Sequence, residues 1–214
     1  MMNIIFSSIL SGMLISFGGM LFICSKWIYD SEIMNLIGSI LFSSGLLTIC
    51  YFKLHLFTGK VGLLFEHVNE WEGCNAVWKL MLILVLNLIS AIIFGIIAHL
   101  ALRKTYFTTI ISNITSNKLT YTSVNLFIKC FLQSFYCGSC VHFAVKTFPL
   151  HFIFCVFFIS GFVYNGFQHC IANAFYFGAL FKFDINMLIN EFIVISGNIL
   201  GTIPIACIHN KIHD

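Results

Sequence analysis

Charge is what this sequence has least of. Only 9% of its 214 residues are Asp, Glu, Lys or Arg, against about a quarter in soluble domains, so a water-facing globular surface cannot be built from it. No basic run accompanies the net charge of +3, which argues against a nucleic-acid partner. No Lys or Arg precedes the first apolar stretch and no small-residue cleavage site follows it, so that stretch reads as a retained helix and not as a signal peptide. Residues 147–181 contain no acidic residue, lysine or arginine at all.

Apolar residues fill the space: 59% of the chain is hydrophobic, 25 residues are Phe, and the mean hydropathy is +0.97. Six stretches are long and apolar enough for membrane elements at about 20 residues per spanning helix, at residues 3–25, 33–52, 80–102, 121–145, 149–181 and 192–208. We therefore expect an all-α membrane protein forming a single transmembrane domain over residues 1–214. The lysines and arginines split between the two sides of such a bundle, so charge counting does not orient it. Ser11, Gly12, Gly18 and Gly19 permit close helix approach, either within one subunit or between subunits.

Nine cysteines raise a redox reading. Cys137 and Cys140 form a C-x-x-C, but eight of the nine lie in or beside apolar spans, where a thiol behaves as a small hydrophobe. A membrane thiol oxidoreductase would also need a second close pair, which the spacing does not supply. A membrane haem protein using His55, His99, His142, His151 or His169 is the other redox alternative. Neither is the favoured reading, and no cofactor or metal is expected.

Dividing the chain near residue 110 gives repeat one, about 1–110, and repeat two, about 111–214, with three elements each. The middle element of each half is interrupted. In the first, Lys53 and His55 precede Leu56-Phe57-Thr58-Gly59-Lys60; in the second, the long apolar run is broken by Asn165-Gly166-Phe167-Gln168-His169. Gly59 and Gly166 mark the expected break points. Broken backbone at membrane depth must be buried in protein or line a wet path, and matching breaks in two halves of odd span number point to an inverted repeat around a transport site. The segments 66–72 and 111–122 read as surface loops.

His169 carries the sharpest chemistry, an ionisable ring inside an apolar element. Thr58 offers a complementary hydroxyl that can donate to an anion. These residues resemble the formate/nitrite transporters. Leu56-Phe57-Thr58-Gly59 is similar to the L-F-T-G loop of that family, Gly166-Phe167-Gln168-His169 with Ala172-Asn173 to its G-F-E-H-x-x-A-N, and Gly197-Asn198-Ile199-Leu200-Gly201 to its G-N-I-x-G. Cys137, Val141 and Ala144 match parts of its fourth-helix signature.

The resemblance implies pentamers of aquaporin-like protomers, each with six transmembrane helices in two inverted three-helix repeats and with the second and fifth helices broken. It implies a channel or transporter, not an enzyme, for small monovalent weak-acid anions such as formate, nitrite, hydrosulfide or short monocarboxylates, with a proton as partner. It also implies residence in the cell inner membrane with cytoplasmic termini. Thr58 and His169 would be the pore groups, with Gln168 and Asn173 beside them. Phe42, Leu46, Leu56, Phe57 and Phe162 would form the hydrophobic constrictions. Gln168 stands where the family has Glu, Lys53-Leu54-His55 replaces its G-x-E, and Gly138 and His142 replace its fourth-helix Asn and Cys. Its fourth-helix lysine falls at Thr122, which leaves Lys53 or Lys118 to charge the vestibule.

Overall fold

The computed structural model describes residues 2–65, 73–102, 105–119, 124–147 and 152–213, and every regular element among them is helical. The order is α1 (Met2–Ile28), α2 (Glu32–Tyr51), a short α3 (Phe57–Lys60) continued by the 3-10 segment Val61–Phe65, α4 (Gly73–Ala101), α5 (Thr105–Lys118), α6 (Val124–Thr147), α7 (Phe152–Tyr164), α8 (Cys170–Leu180) and α9 (Ile185–His213). Four helices are long and apolar enough to cross a bilayer, Met2–Ile28, Glu32–Tyr51, Asn75–Ala101 and Ile185–Ile208, and two shorter apolar helices end and begin at the second break, Cys155–Tyr164 and Cys170–Leu180.

Burial runs opposite to that of a soluble protein. Phe6, Ile33, Trp78, Ile97, Phe157 and Phe192 are exposed on the outer faces, whereas Ser8, Ser11, Thr58, Asn87, Asn190 and Asn198 are enclosed. Lipid accepts the first group, and internal hydrogen bonds accommodate the second. On α1, the hydroxyls of Ser8, Ser11 and Ser16 donate to the carbonyls of Ile4, Ser7 and Gly12 on their own helix, so a serine face enters the bundle with its polar atoms satisfied. Gly12 abuts the Asn87 carbonyl, and a Cβ on Gly18 would lie 2.6 Å from the carbonyl oxygen of Phe42. The small residues of α1 thus serve contacts inside the chain.

Both breaks end their helices in the same way. At the end of α2, Lys53 takes the left-handed conformation with φ 53°, its N–H donates to Cys50 O, and Leu54 N–H donates to Ile49 O. At the end of α7, Gly166 has φ 68°, its N–H donates to Val163 O, and Phe167 N–H donates to Phe162 O. Each is a Schellman C-terminus. The second break falls at Gly166 as expected, but the first is upstream of Gly59, which lies within α3. Lysine, not glycine, occupies the left-handed position there.

Three other expectations are corrected. The stretch 111–122 is not all loop, because α5 runs to Lys118 and buries Phe107, Ile111, Thr115 and Lys118 on one face. This helix also spans the dividing point near residue 110. The last helix begins at Ile185 instead of 192, because Asp184 Oδ1 accepts the N–H groups of Asn186 and Met187 at 2.7 and 3.1 Å and caps a polar first turn. The third begins at Gly73, earlier than 80. The expected loop 66–72 lies outside the described residues.

Candidate functional site

Two asparagines hold the two breaks by the same set of bonds. Asn87 Oδ1 on α4 accepts the N–H of Phe57, the first residue of α3, at 2.9 Å, while its Nδ2 donates to Ser8 O and His55 O at 2.7 and 3.1 Å. Asn198 Oδ1 on α9 accepts the N–H of Cys170, the first residue of α8, at 3.0 Å, while its Nδ2 donates to Ser134 O and Gln168 O at 2.8 and 3.1 Å. Each amide therefore satisfies one helix-start N–H and one free carbonyl at the break, His55 or Gln168, and ties both to a mid-helix carbonyl of a neighbouring helix, Ser8 on α1 or Ser134 on α6. The matching extends to close packing: Gly12 lies against the backbone of Asn87 and Gly138 against that of Asn198, each with no room for a Cβ. Gly138 thus stands where an asparagine side chain has no space.

With the breaks fixed, the starts of α3 and α8 come face to face. Thr58 Oγ1 lies 3.1 Å from His169 Nε2, and the two residues are 0% and 2% exposed. His169 is the N-cap of α8, and its Nδ1 accepts the N–H of Ala172 at 3.3 Å. A backbone N–H can only donate, so Nδ1 is the acceptor and a neutral ring carries its proton on Nε2. Nε2–H then donates to the Thr58 oxygen. The Thr58 hydrogen is left to donate to a third group.

Behind the histidine, amides gather on the C-terminus of α5. Gln168 Nε2 and Asn190 Nδ2 donate to Lys118 O at 3.3 and 3.1 Å, and Asn173 Nδ2 donates to Gln168 Oε1 at 2.8 Å. The glutamine is matched to this setting, since a carboxylate at 168 has no hydrogen to offer a carbonyl and would repel it. Lys118 is 8% exposed, with its ammonium 5.6 Å from the centre of the Tyr176 ring. Glu191 stands within electrostatic range of Lys118, yet both its oxygens are buried without a hydrogen-bond partner among the described residues.

Two cavities approach the Thr58–His169 contact from different ends. The first, about 250 Å³, runs from Lys26 and Asn35 past Phe42, Phe162 and Lys118 to His169. Phe42 and Phe162 meet edge to face with ring centres 6.4 Å apart, and Phe162 stacks on the His169 ring at 6.1 Å. The second cavity, about 440 Å³, is lined by Lys53, Lys60, Leu54, Leu56 and Val145. Among the described residues, each cavity is lined by two lysines and by no Asp or Glu, an arrangement that favours anions. Lys53 and Lys118, expected as alternatives, border different cavities. Leu46 and Phe57 are 2% and 1% exposed and line neither.

The sequence profile described as Formate/nitrite transporter matches residues 1–210. The chain belongs to the formate/nitrite transporter family. It is therefore an integral membrane transport protein of an anion-channel family and not an enzyme. Among solved structures it is similar to one described as a pentameric formate channel with formate bound, at 22% identity over 92% of this chain and 91% of the other, with a TM-score of 0.75. It is also similar to one described as an FNT family ion channel, at 18% identity over 99% of this chain and 90% of the other, with a TM-score of 0.81. No curated protein matches the sequence.

For this member of the family, sequence reasoning singled out Thr58 and His169 but not the residues that hold them. Asn87 was detectable as the amide in the middle of an apolar run. Asn198 sits in a motif whose letters do not state its bonds. A direct check on Thr58 is its replacement by valine, which keeps the bulk and removes the hydroxyl. Losing one hydrogen bond of about 1.5 kcal/mol in the path is expected to lower anion flux about tenfold, read by stopped-flow uptake into proteoliposomes. An unchanged rate would mean that the hydroxyl serves only the histidine.

Proposed function

We propose that this protein conducts small monovalent weak-acid anions, among them formate, nitrite, hydrosulfide and short monocarboxylates, and that they cross the hydrophobic zone as neutral acids. The observation that carries this reading is the contact between Thr58 and His169 at the meeting point of two helix breaks, with a lysine-bearing cavity on either side. A bare anion at mid-bilayer costs several kcal/mol or more, whereas the protonated acid avoids most of that. Lysines gather the anion in the vestibule. Thr58 then donates its hydroxyl hydrogen to the solute while His169 holds the Thr58 oxygen, and a proton is exchanged beside the ring. Phe42 and Phe162 on one side, and Leu56 on the other, exclude water and with it larger hydrated ions. Leu46 and Phe57 support these constrictions from behind.

In the same reading, repeat one (about 1–110) and repeat two (about 111–214) are inverted copies with three spans each: α1, α2 with α3, and α4; then α6, α7 with α8, and α9. The paired bonds of Asn87 and Asn198 support this. The assembly is a homopentamer in the cell inner membrane with cytoplasmic termini, supported by the relative described as pentameric.

The test is uptake of a panel of acids by proteoliposomes at two pH values. Above a carboxylic acid's pKa near 4, its neutral fraction rises about tenfold for each unit fall in pH. Formate uptake is therefore expected to rise steeply from pH 7.5 to 6.5, and sulfate is expected to stay at background. Uptake of every acid at the level of empty liposomes would overturn the assignment, and a pH-independent formate rate would overturn the neutral-acid passage.

A further inference from the structure

The cysteine spacing offers no second close pair beyond Cys137 and Cys140, yet the fold makes one. Cys50, one residue before the end of α2, and Cys155, in the first turn of α7, meet across the α2–α7 interface with their thiols close enough to share a hydrogen bond. The two helices run antiparallel, since Asn35 Nδ2 near the start of α2 donates to Tyr164 O at the end of α7, and Phe42 packs on Phe162 between these ends. The thiol pair thus closes the far end of the helix pair that carries the phenylalanine constriction.

The two thiols differ in access. Cys155 is 0% exposed, whereas Cys50 lines the second cavity together with Lys53 and Lys60. Cys50 is reachable and Cys155 is placed to resolve it.

We propose that Cys50 and Cys155 form a peroxide-driven dithiol–disulfide switch that staples α2 to α7. The Cys50 thiol takes one oxygen from hydrogen peroxide to give a sulfenic acid and water. The Cys155 sulfur then attacks the Cys50 sulfur, forming the S–S bond and releasing a second water. In total two thiols and one peroxide give one disulfide and two waters. A reducing dithiol reverses the step by exchange. Passage of a solute requires Phe42 and Phe162, 3% and 4% exposed and in contact, to part. A covalent link two turns along the same helix pair holds them together, so the oxidised protein is closed.

The chemical half of this proposal stands without the transport reading, and the flux half rests on it. Purified full-length protein is treated with hydrogen peroxide, alkylated and mapped by mass spectrometry. A Cys50–Cys155 linked peptide pair is expected in the wild type and in a Cys137→Ser/Cys140→Ser variant, and neither Cys50→Ser nor Cys155→Ser should form it. In proteoliposomes, peroxide is expected to lower wild-type formate flux at least tenfold, with recovery on adding dithiothreitol, and to leave Cys155→Ser unaffected. Absence of the linked peptides, or a linked protein whose flux is unchanged, overturns the switch. A wild type with no flux in either redox state counts instead against the transport reading, because the linked peptides are scored independently.

Discussion

Replacing His169 with phenylalanine is expected to reduce formate flux by on the order of 100-fold while leaving the protein folded and assembled. The flux loss follows from the proton on Nε2. Without it the Thr58 oxygen, 0% exposed, has no donor, and the solute meets neither an oriented hydroxyl nor a group that exchanges protons. About 3 kcal/mol of lost interaction in a water-poor site corresponds to that factor. Folding survives because the phenyl ring keeps the stack on Phe162, now at 6.1 Å and 14° between planes. Besides the bond to Thr58, the structural loss is the cap on Ala172 N–H, worth about 1 kcal/mol.

A second substitution separates the two roles of the ring. His169→Asn restores an N-cap acceptor for Ala172 but is too short to reach Thr58 as Nε2 does. Its thermal stability is expected to match the wild type and its flux to match His169→Phe. Recovery of flux in the asparagine variant would show that the histidine acts only through the helix cap, and wild-type flux in the phenylalanine variant would remove the pore role altogether.

The difference between what could be read in advance and what could not lies in which backbone jobs a side chain advertises. Gly166 announces a left-handed residue, and the second break is where it stands. Lys53 does the same job with a side chain that gives no such signal, so Gly59, the nearest glycine, drew the expectation instead. Its small size is used differently: a Cβ there would sit 3.0 Å from Val145 Cγ2, where α3 lies against α6. The helix α5 was hidden for a related reason. Its Ser, Thr and Asn residues have loop-like composition, and only the spacing of Phe107, Ile111, Thr115 and Lys118 along one face reveals the helix.

The site was legible as chemistry but not as connections. Thr58 and His169 are far apart in the chain, and their contact depends on both breaks being placed to the residue. Gln168 read as a carboxylate lost, whereas its amide is the donor that the Lys118 carbonyl needs. Glu191 was not singled out, because it stands just outside the apolar stretch 192–208. The Cys50–Cys155 meeting required knowing that α2 and α7 are antiparallel neighbours, information that spacing within either helix does not contain.

The largest loss of stability is expected from the asparagines that hold the breaks. Asn198→Leu keeps the side-chain volume and deprives two backbone groups of their partner at once, the Cys170 N–H and the Gln168 carbonyl, while the Ser134 carbonyl, in the middle of α6, keeps its helix bond. Each buried group left unpaired costs about 1 to 3 kcal/mol, and Asn198 is 0% exposed, so water does not replace the bonds. A total of at least about 2 kcal/mol lowers the melting temperature of a chain this size by roughly 6 °C, measurable by tryptophan fluorescence of detergent-solubilised protein. Asn87→Leu is expected to do the same through Phe57 N–H and the His55 carbonyl, whereas Thr58→Val should change the melting temperature little. Both asparagines position the same Thr58–His169 contact, so the double substitution should cost less than the sum of the two in flux, because the first already misaligns the pair. Melting temperatures within 2 °C or so of wild type for both single variants would mean that the breaks are held by packing alone, and the paired amides would lose their role as the fasteners of the site.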